Sequence, residues 1–141
     1  MNYDEYEKQV AHINKENEKY LAVFQQALEE QHLSPKTIRN HVFNMDLYLN
    51  DYLSYEEPTT MQEGCQQALS FFTWFYPRKC LFSSKANAKQ MMGSLRKFYK
   101  IMLAKGFIEK EDYTSLAEDL KEHKDEYLSC YDDDEDTSYF W

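Results

Sequence analysis

The chain has 141 residues, a net charge of -9 and 43% hydrophobic residues, which is enough apolar material for one domain with its own core. Its three cysteines, Cys65, Cys80 and Cys130, are widely spaced and form no CxxC pair, which argues against a disulfide-rich secreted domain. The N-terminus is acidic and no window approaches the ~20 apolar residues of a membrane span, so the sequence predicts a soluble cytoplasmic protein without membrane contact.

Glycine and proline each occur only 3 times, so the pattern favours long helices over many strands. The first predicted helix covers residues 3–31 and is either continuous or broken between Asn14 and Asn17. Its second half carries an apolar face of the kind that packs on a core. This face consists of Tyr20, Phe24, Ala27 and Leu28.

The second helix begins in the stretch LSPKTIRNH, where Ser34 is suited to the N-cap and Pro35 to the first helical position. Its predicted core face consists of Ile38, Val42, Met45, Leu49, Tyr52 and Leu53. Its opposite face is polar, with Lys36, Asn40 and Asn44 at its centre and Thr37 at its edge.

Phe43 and Leu47 also point away from the core face of this helix, which predicts a second contact surface. Thr60 and Glu63 have the spacing of a capping box and mark the start of the next helical segment. That segment is strongly aromatic and is expected to end before Pro77. Its apolar positions are Ala68, Phe71, Phe72, Phe75 and Tyr76.

The clearest helix follows Ser83 and Ser84, either of which is a suitable cap, and ends before Gly106 at a position that favours glycine. Its apolar stripe consists of Ala88, Met91, Met92, Leu95, Phe98, Tyr99 and Met102. Four cations on the far side fall within about 60° of one another on a helical projection. They are Lys85, Lys89, Arg96 and Lys100.

A last helix is predicted over residues 111–129, with Leu116, Leu120 and Leu128 as its apolar positions, followed by the acidic sequence YDDDEDTSYFW. The predicted organisation is therefore an N-terminal helical extension at 1–17, a helical domain at 18–129 and an acidic tail at 130–141. The tail either stays solvated or folds back on a cationic surface of the domain. The fold class is all-α, a compact bundle of about five helices.

Charge is distributed unevenly along the chain. Residues 64–108 contain 8 basic and no acidic residues, whereas the segments on either side have net charges of -7 and -10. Such separation indicates either a polyanionic partner or a cationic helix that acidic neighbours neutralise locally. If the cations meet a nucleic acid, lysine and arginine would contact phosphates and the amides would contact base edges.

The sequence contains no pattern of a catalytic centre. The four histidines have no metal-ligand spacing, either with one another or with the cysteines, and three glycines do not build a phosphate-binding loop. Cys65 and Cys80 are interpreted as small buried apolar residues. We therefore expect a protein that is not an enzyme and needs no cofactor or metal.

Two long stretches resemble the core-binding domain of tyrosine recombinases, the phage integrases. The first is YLAVFQQALEEQHLSPKTIRNHVFNMDLYLNDYL and the second is SSKANAKQMMGSLRKFYKIMLAKGFI. As is typical of that family, the first has an aromatic-rich helix, a leucine–serine pair, a threonine and a helix that ends in an aromatic or leucine cluster. The second has a serine start, a leucine, a phenylalanine–tyrosine pair, a glycine and an apolar exit. The resemblance extends over about residues 18–125.

The resemblance implies a SAM-like helical bundle that clamps one face of duplex DNA. It places Lys36, Thr37 and Asn40 on the second helix near DNA, and Ser84, Lys85 and Lys89 at the start of the later helix that also faces DNA. The catalytic arginines, histidine and nucleophilic tyrosine of the family have no counterpart, and Tyr139 lies in the acidic tail. The expected function is therefore stand-alone, non-catalytic DNA binding that is related to DNA recombination and integration.

An alternative is a protein-interaction module that has kept this fold and lost DNA binding. Its contact residues would be Phe43 and Leu47, or the aromatic end of the acidic tail. The acidic first helix and the acidic tail would repel DNA, unlike the basic balance that is usual in the family.

Overall fold

The computed structural model describes residues 2–131, and all regular structure in this range is helical. The main helices are α1 (Tyr3–Glu30), α2 (Pro35–Asp46), α3 (Ala68–Ser70), α4 (Tyr76–Lys79), α5 (Lys85–Ala104), α6 (Lys110–Glu122) and α7 (Lys124–Leu128). A π-helical segment at Leu47–Tyr52 extends α2, another at Phe71–Phe75 joins α3 to α4, and a 3₁₀ turn covers Glu63–Gln66. The predicted all-α bundle is confirmed.

The first helix is continuous, so the break considered between Asn14 and Asn17 does not occur. Asn17 is buried and turns inward, where its amide donates to Asn50 Oδ1 at 2.8 Å. A buried amide with a partner on another helix does not compete for its own backbone, so the helix is not interrupted. The predicted boundary after residue 17 lies inside α1.

Helix α2 begins as the sequence predicts. Ser34 Oγ accepts from the backbone N–H of Thr37 at 3.2 Å, and Pro35 occupies the first turn. The predicted core positions of α2 and its π-helical extension all contact the core, although Val42 is only half-buried. Phe24 of α1 packs edge-on against Phe98 of α5 with ring centroids 5.1 Å apart, which joins the two longest helices.

The aromatic helix does not end before Pro77, because α4 carries it on to Lys79. In the preceding π-helical segment the N–H of Tyr76 donates to the carbonyl of Phe71, five residues back. In that register a residue at 77 would donate to Phe72, but proline has no N–H. The hydroxyl of Tyr131 donates to the Phe72 carbonyl instead, at 2.8 Å. A residue far along the chain therefore supplies the donor that Pro77 lacks.

The substitution Tyr131→Phe is expected to lower the free energy of unfolding by about 1–3 kcal/mol, because it leaves the Phe72 carbonyl buried without a donor. Urea denaturation would measure this as a lower midpoint with an unchanged m-value. Tyr55→Phe is the matched control, since Tyr55 is exposed and its hydroxyl makes no hydrogen bond to the described residues. Equal stability of the two variants would contradict the role given to Tyr131.

Two other buried tyrosines donate hydrogen bonds to backbone carbonyls of the irregular segment between α2 and α3. The hydroxyls of Tyr48 and Tyr99 donate to the carbonyls of Gly64 and Met61, at 2.7 and 2.8 Å. Burial raises the pKa of both tyrosines well above the usual value, so they stay protonated donors. The predicted capping box is also present, with Thr60 and Glu63 each accepting from the other's backbone N–H.

The last predicted helix is in fact two, since α6 and α7 meet at His123, whose φ of -107° and ψ of 12° are not helical. The predicted apolar positions Leu116, Leu120 and Leu128 are buried all the same. None of the helices within residues 2–131 has the length and apolar character that crossing a membrane requires.

Candidate nucleic-acid interface

The outward face of α5 is fixed by how that helix begins, ends and packs. Ser84 caps it by accepting from the backbone N–H of Asn87 at 3.0 Å, and Gly106, with φ 82°, follows its last turn. Every residue of the predicted apolar stripe is buried. The opposite side of α5 is therefore left to polar and charged side chains.

Three cations of α5 line one shallow groove of about 500 Å³, which we call the cationic groove. They are Arg96, Lys97 and Lys100, and Gly93 lies among them. The remaining lining is uncharged and consists of Gln31, Ile101, Ala104 and Tyr113. Since none of the described residues that line this groove is a carboxylate, the groove is suited to an anionic ligand.

These cations are not neutralised by ion pairs within the described part of the chain. The ion pairs of residues 2–131 involve only Lys19 and His123, with acidic residues on their own helices. None of the 8 cations between residues 64 and 108 takes part. Local neutralisation through direct contacts, one of the two interpretations of the charge pattern, is thus not found there.

A polar network holds α2 against α5 beside the cationic groove. Buried Ser94 Oγ accepts from Asn44 at 3.0 Å and lies 2.8 Å from His41 Nδ1. Burial lowers the pKa of His41, and the nearby Lys97 lowers it further. The neutral imidazole is then free to accept the Ser94 O–H, which agrees with the distance. Asn44 is half-buried, so its side chain links α2 to α5 and also lines the groove described next.

A second groove, of about 240 Å³, lies between α2 and the start of α5 and is lined by several amides, so we call it the amide groove. Asn40 and Asn44 line it from α2, and Asn87 and Gln90 line it from α5. The rest of its lining is aromatic and consists of Phe43, Tyr76 and Phe82. Asn87 also donates to the carbonyl of Phe82 at 2.7 Å, which fixes its orientation. Amides of this kind offer both donors and acceptors to a ligand.

The two grooves share the outward side of α5. Gln90 of the amide groove and Gly93 of the cationic groove are three residues apart and so are neighbours on the helix surface. From Asn87 to Lys100 the helix rises about 20 Å at 1.5 Å per residue. The outward side of α5 thus presents amides at one end and cations at the other.

The structure brings only some of the predicted site residues together. Asn40 lies in the amide groove, and Arg96 and Lys100 lie in the cationic groove. Lys36 and Lys89 are exposed but line neither groove, and Lys85 is half-buried at the first position of α5.

The two predicted hydroxyl residues are engaged in helix capping. Thr37 Oγ1 accepts from the hydroxyl of Ser34 at 2.9 Å, and Ser84 is the N-cap of α5. Their hydroxyl groups therefore have partners within the fold, and they lie at helix starts that flank the two grooves.

Lys97 is the main residue that the sequence analysis did not select. The four cations it chose were those that cluster most tightly on a helical projection. The buried stripe itself defines the outward direction of α5, and Lys97 and Gly93 both lie about 20° from that direction. Choosing residues opposite the buried stripe would have found Lys97.

The predicted contact pair of α2 is only half correct. Phe43 is 56% exposed, whereas Leu47 is half-buried and packs against the core. Leu47 starts the π-helical segment, where the wider turn departs from the 100° per residue used to place it. Phe82, and not Leu47, lies beside Phe43, with ring centroids 5.9 Å apart. The neighbouring Leu81 is fully exposed.

No group of histidine, cysteine and acidic side chains that could hold a metal occurs within residues 2–131. Cys65 and Cys80 are buried as predicted, and burial raises the pKa of the Cys65 thiol to about 12. Such a thiol is protonated at neutral pH and is a poor nucleophile. The acidic sequence after Tyr131, including Tyr139, lies outside the described residues.

Comparison with known proteins identifies no relative. No protein-family model matches the chain, and neither a curated protein nor a solved structure matches it.

Proposed function

We propose that this chain is a non-catalytic, SAM-like helical domain that binds duplex DNA through the outward side of α5. One observation carries the proposal. Arg96, Lys97 and Lys100 line a single groove, and within residues 2–131 no carboxylate lines it and no ion pair neutralises them. Such a surface attracts a polyanion, and each cation that meets a phosphate releases condensed counterions.

The adjacent amide groove favours DNA over a featureless polyanion. Phosphate contacts set the position of a protein on a duplex, whereas asparagine and glutamine amides pair with base edges, most often adenine. Asn40 and Gln90 are exposed and lie beside the cations on the same side of the bundle. The resemblance to recombinase core-binding domains points to the same two helices, α2 and α5.

The net charge of -9 does not exclude binding by a local cationic surface. At physiological ionic strength, exposed charges more than about 8 Å apart are largely screened from each other. The acidic residues of α1 and of the tail then act weakly at the cationic groove, unless they lie close to it. Association is expected to be weaker than that of a basic domain but still to depend on the groove.

Binding of a labelled duplex of about 20 base pairs, followed by fluorescence anisotropy between 50 and 200 mM salt, tests the proposal. If the three cations contact phosphates, a plot of log affinity against log salt concentration is expected to have a slope of about -2.7 or steeper. Single-stranded DNA and duplex RNA of the same sequence are the comparison ligands. Absence of duplex binding at 50 mM salt, or preference for either comparison ligand, would contradict the proposal.

The second candidate function is binding of an acidic protein segment. It is favoured by the exposed apolar patch of Phe43, Leu81 and Phe82, which lies next to the cations Lys79 and Lys85 in the sequence. An amphipathic helix with acidic flanks would match both features. Leu81→Ser is expected to weaken that interaction and leave duplex binding intact, because Leu81 is fully exposed and lines neither groove, whereas Phe43 and Phe82 also line the amide groove.

A further inference from the structure

Two of the three glycines are explained by the fold. A Cβ at Gly64 would lie 2.5 Å from the Tyr99 hydroxyl and 2.8 Å from Leu53 Cδ1, so no side chain fits there. Gly106 has φ 82°, which glycine adopts without strain. Both residues are needed where they are, for packing and for the end of α5.

The third glycine has no such explanation. Gly93 is in the middle of α5, and a Cβ added to it would meet no atom within 4 Å. Glycine inside a helix is less stable than alanine because it loses more backbone freedom on folding. The fold would therefore be more stable with alanine at this position, so the reason for glycine is to be sought outside the fold.

Gly93 is also the residue that opens the floor of the cationic groove. On the helical projection it lies between Lys100 and Arg96 on one side and Lys97 on the other. The cations stand along both sides of a strip of backbone that no side chain covers. A ligand that reaches this strip meets positive charge on two sides and approaches α5 more closely than any other residue at 93 would permit.

We infer that one sugar-phosphate strand of duplex DNA lies directly on α5 at Gly93, between Lys97 and the Arg96–Lys100 pair. This inference rests on the proposed DNA-binding function and assigns its point of closest approach. Close approach shortens the distance from each cation to its phosphate, which strengthens the interaction. It also makes duplex binding sensitive to the size of the side chain at residue 93, although this residue carries no charge.

The pair Gly93→Ala and Gly93→Gln tests size without changing charge. Both variants are expected to melt at the same temperature as the parent chain or about 2–4 °C higher, because both residues favour helix over glycine. Gly93→Gln is expected to weaken duplex binding at least 10-fold and to reduce its salt dependence, since a strand held away from α5 loses phosphate contacts. Gly93→Ala is expected to show a smaller loss.

Ala22→Gln is the matched control, because Ala22 is exposed on α1 away from both grooves. It is expected to bind duplex DNA as the parent chain does. Parent-like binding by Gly93→Gln would overturn this inference and leave the DNA-binding function standing. A lower melting temperature for Gly93→Ala would also overturn it, since the fold would then need the glycine. If the parent chain binds no duplex, both the inference and the proposed function fail.

Discussion

Replacing Arg96, Lys97 and Lys100 together by glutamine is expected to lower the affinity for duplex DNA about 100- to 1,000-fold at 0.1 M salt. Each lost phosphate contact removes the favourable release of nearly one counterion, which amounts to roughly 8-fold in affinity at that salt. The slope of log affinity against log salt is expected to become shallower by about 2.7. The fold is expected to keep its stability, because none of the three side chains forms an ion pair within residues 2–131.

The control for this experiment removes the same total charge elsewhere. Lys8, Lys15 and Lys124 are exposed and line neither groove, so their joint replacement by glutamine changes net charge alone. The control variant is expected to lose only the small long-range part of the attraction, which is screened at 0.1 M salt. If both triple variants weaken binding equally, net charge and not the cationic groove determines the affinity.

Much of the fold could be predicted because its signals are local. Ser34, Ser84 and Gly106 act within one turn of their own helices, so their roles can be read from neighbouring residues. The apolar stripe of α5 is equally local, since a period of 3.6 residues decides which side chains share a face. These are the features that the structure confirms without change.

Two of the departures involve a partner that is distant in sequence. The Phe72 carbonyl, to which Pro77 cannot donate, accepts from Tyr131, and Asn17 of the continuous α1 donates to Asn50. No rule based on neighbouring residues includes such contacts. Pro77 alone predicts a helix end, because the compensating hydroxyl becomes visible only after folding.

The candidate site was predictable in kind but not in detail. A segment with 8 basic and no acidic residues already indicates a cationic surface. Which cations share a groove depends on how α1 and α6 flank α5, since Gln31 and Tyr113 close the groove on either side. Asn44 shows the same limit, because the helical period predicts its position on the polar face but not its hydrogen bond to Ser94 of α5.

The aromatic cluster around Phe71 determines whether the helices that carry the site stay together. Phe71 lies in the π-helical segment between α3 and α4, and its ring centroid is 5.0 Å from the rings of Tyr48 and Tyr52 at the end of α2. The ring of Tyr76 stacks on its other side at 5.1 Å. Since Tyr76 also lines the amide groove, the cluster connects the core directly to the proposed interface.

The substitution Phe71→Ala is expected to lower the free energy of unfolding by about 3–5 kcal/mol, since it removes a fully buried ring and leaves a cavity among the aromatic rings around it. This is a large share of the roughly 5–15 kcal/mol that holds a domain of this size together. Thermal and urea unfolding would measure it, with Leu69→Ala as control, because Leu69 lies two residues before Phe71 and is 57% exposed. The control is expected to lose less than about 1 kcal/mol. Equal stability of the two variants would show that the aromatic cluster around Phe71 is not what joins α2 to the segment before α5. The Ser94 network alone would then have to determine the shape of the amide groove.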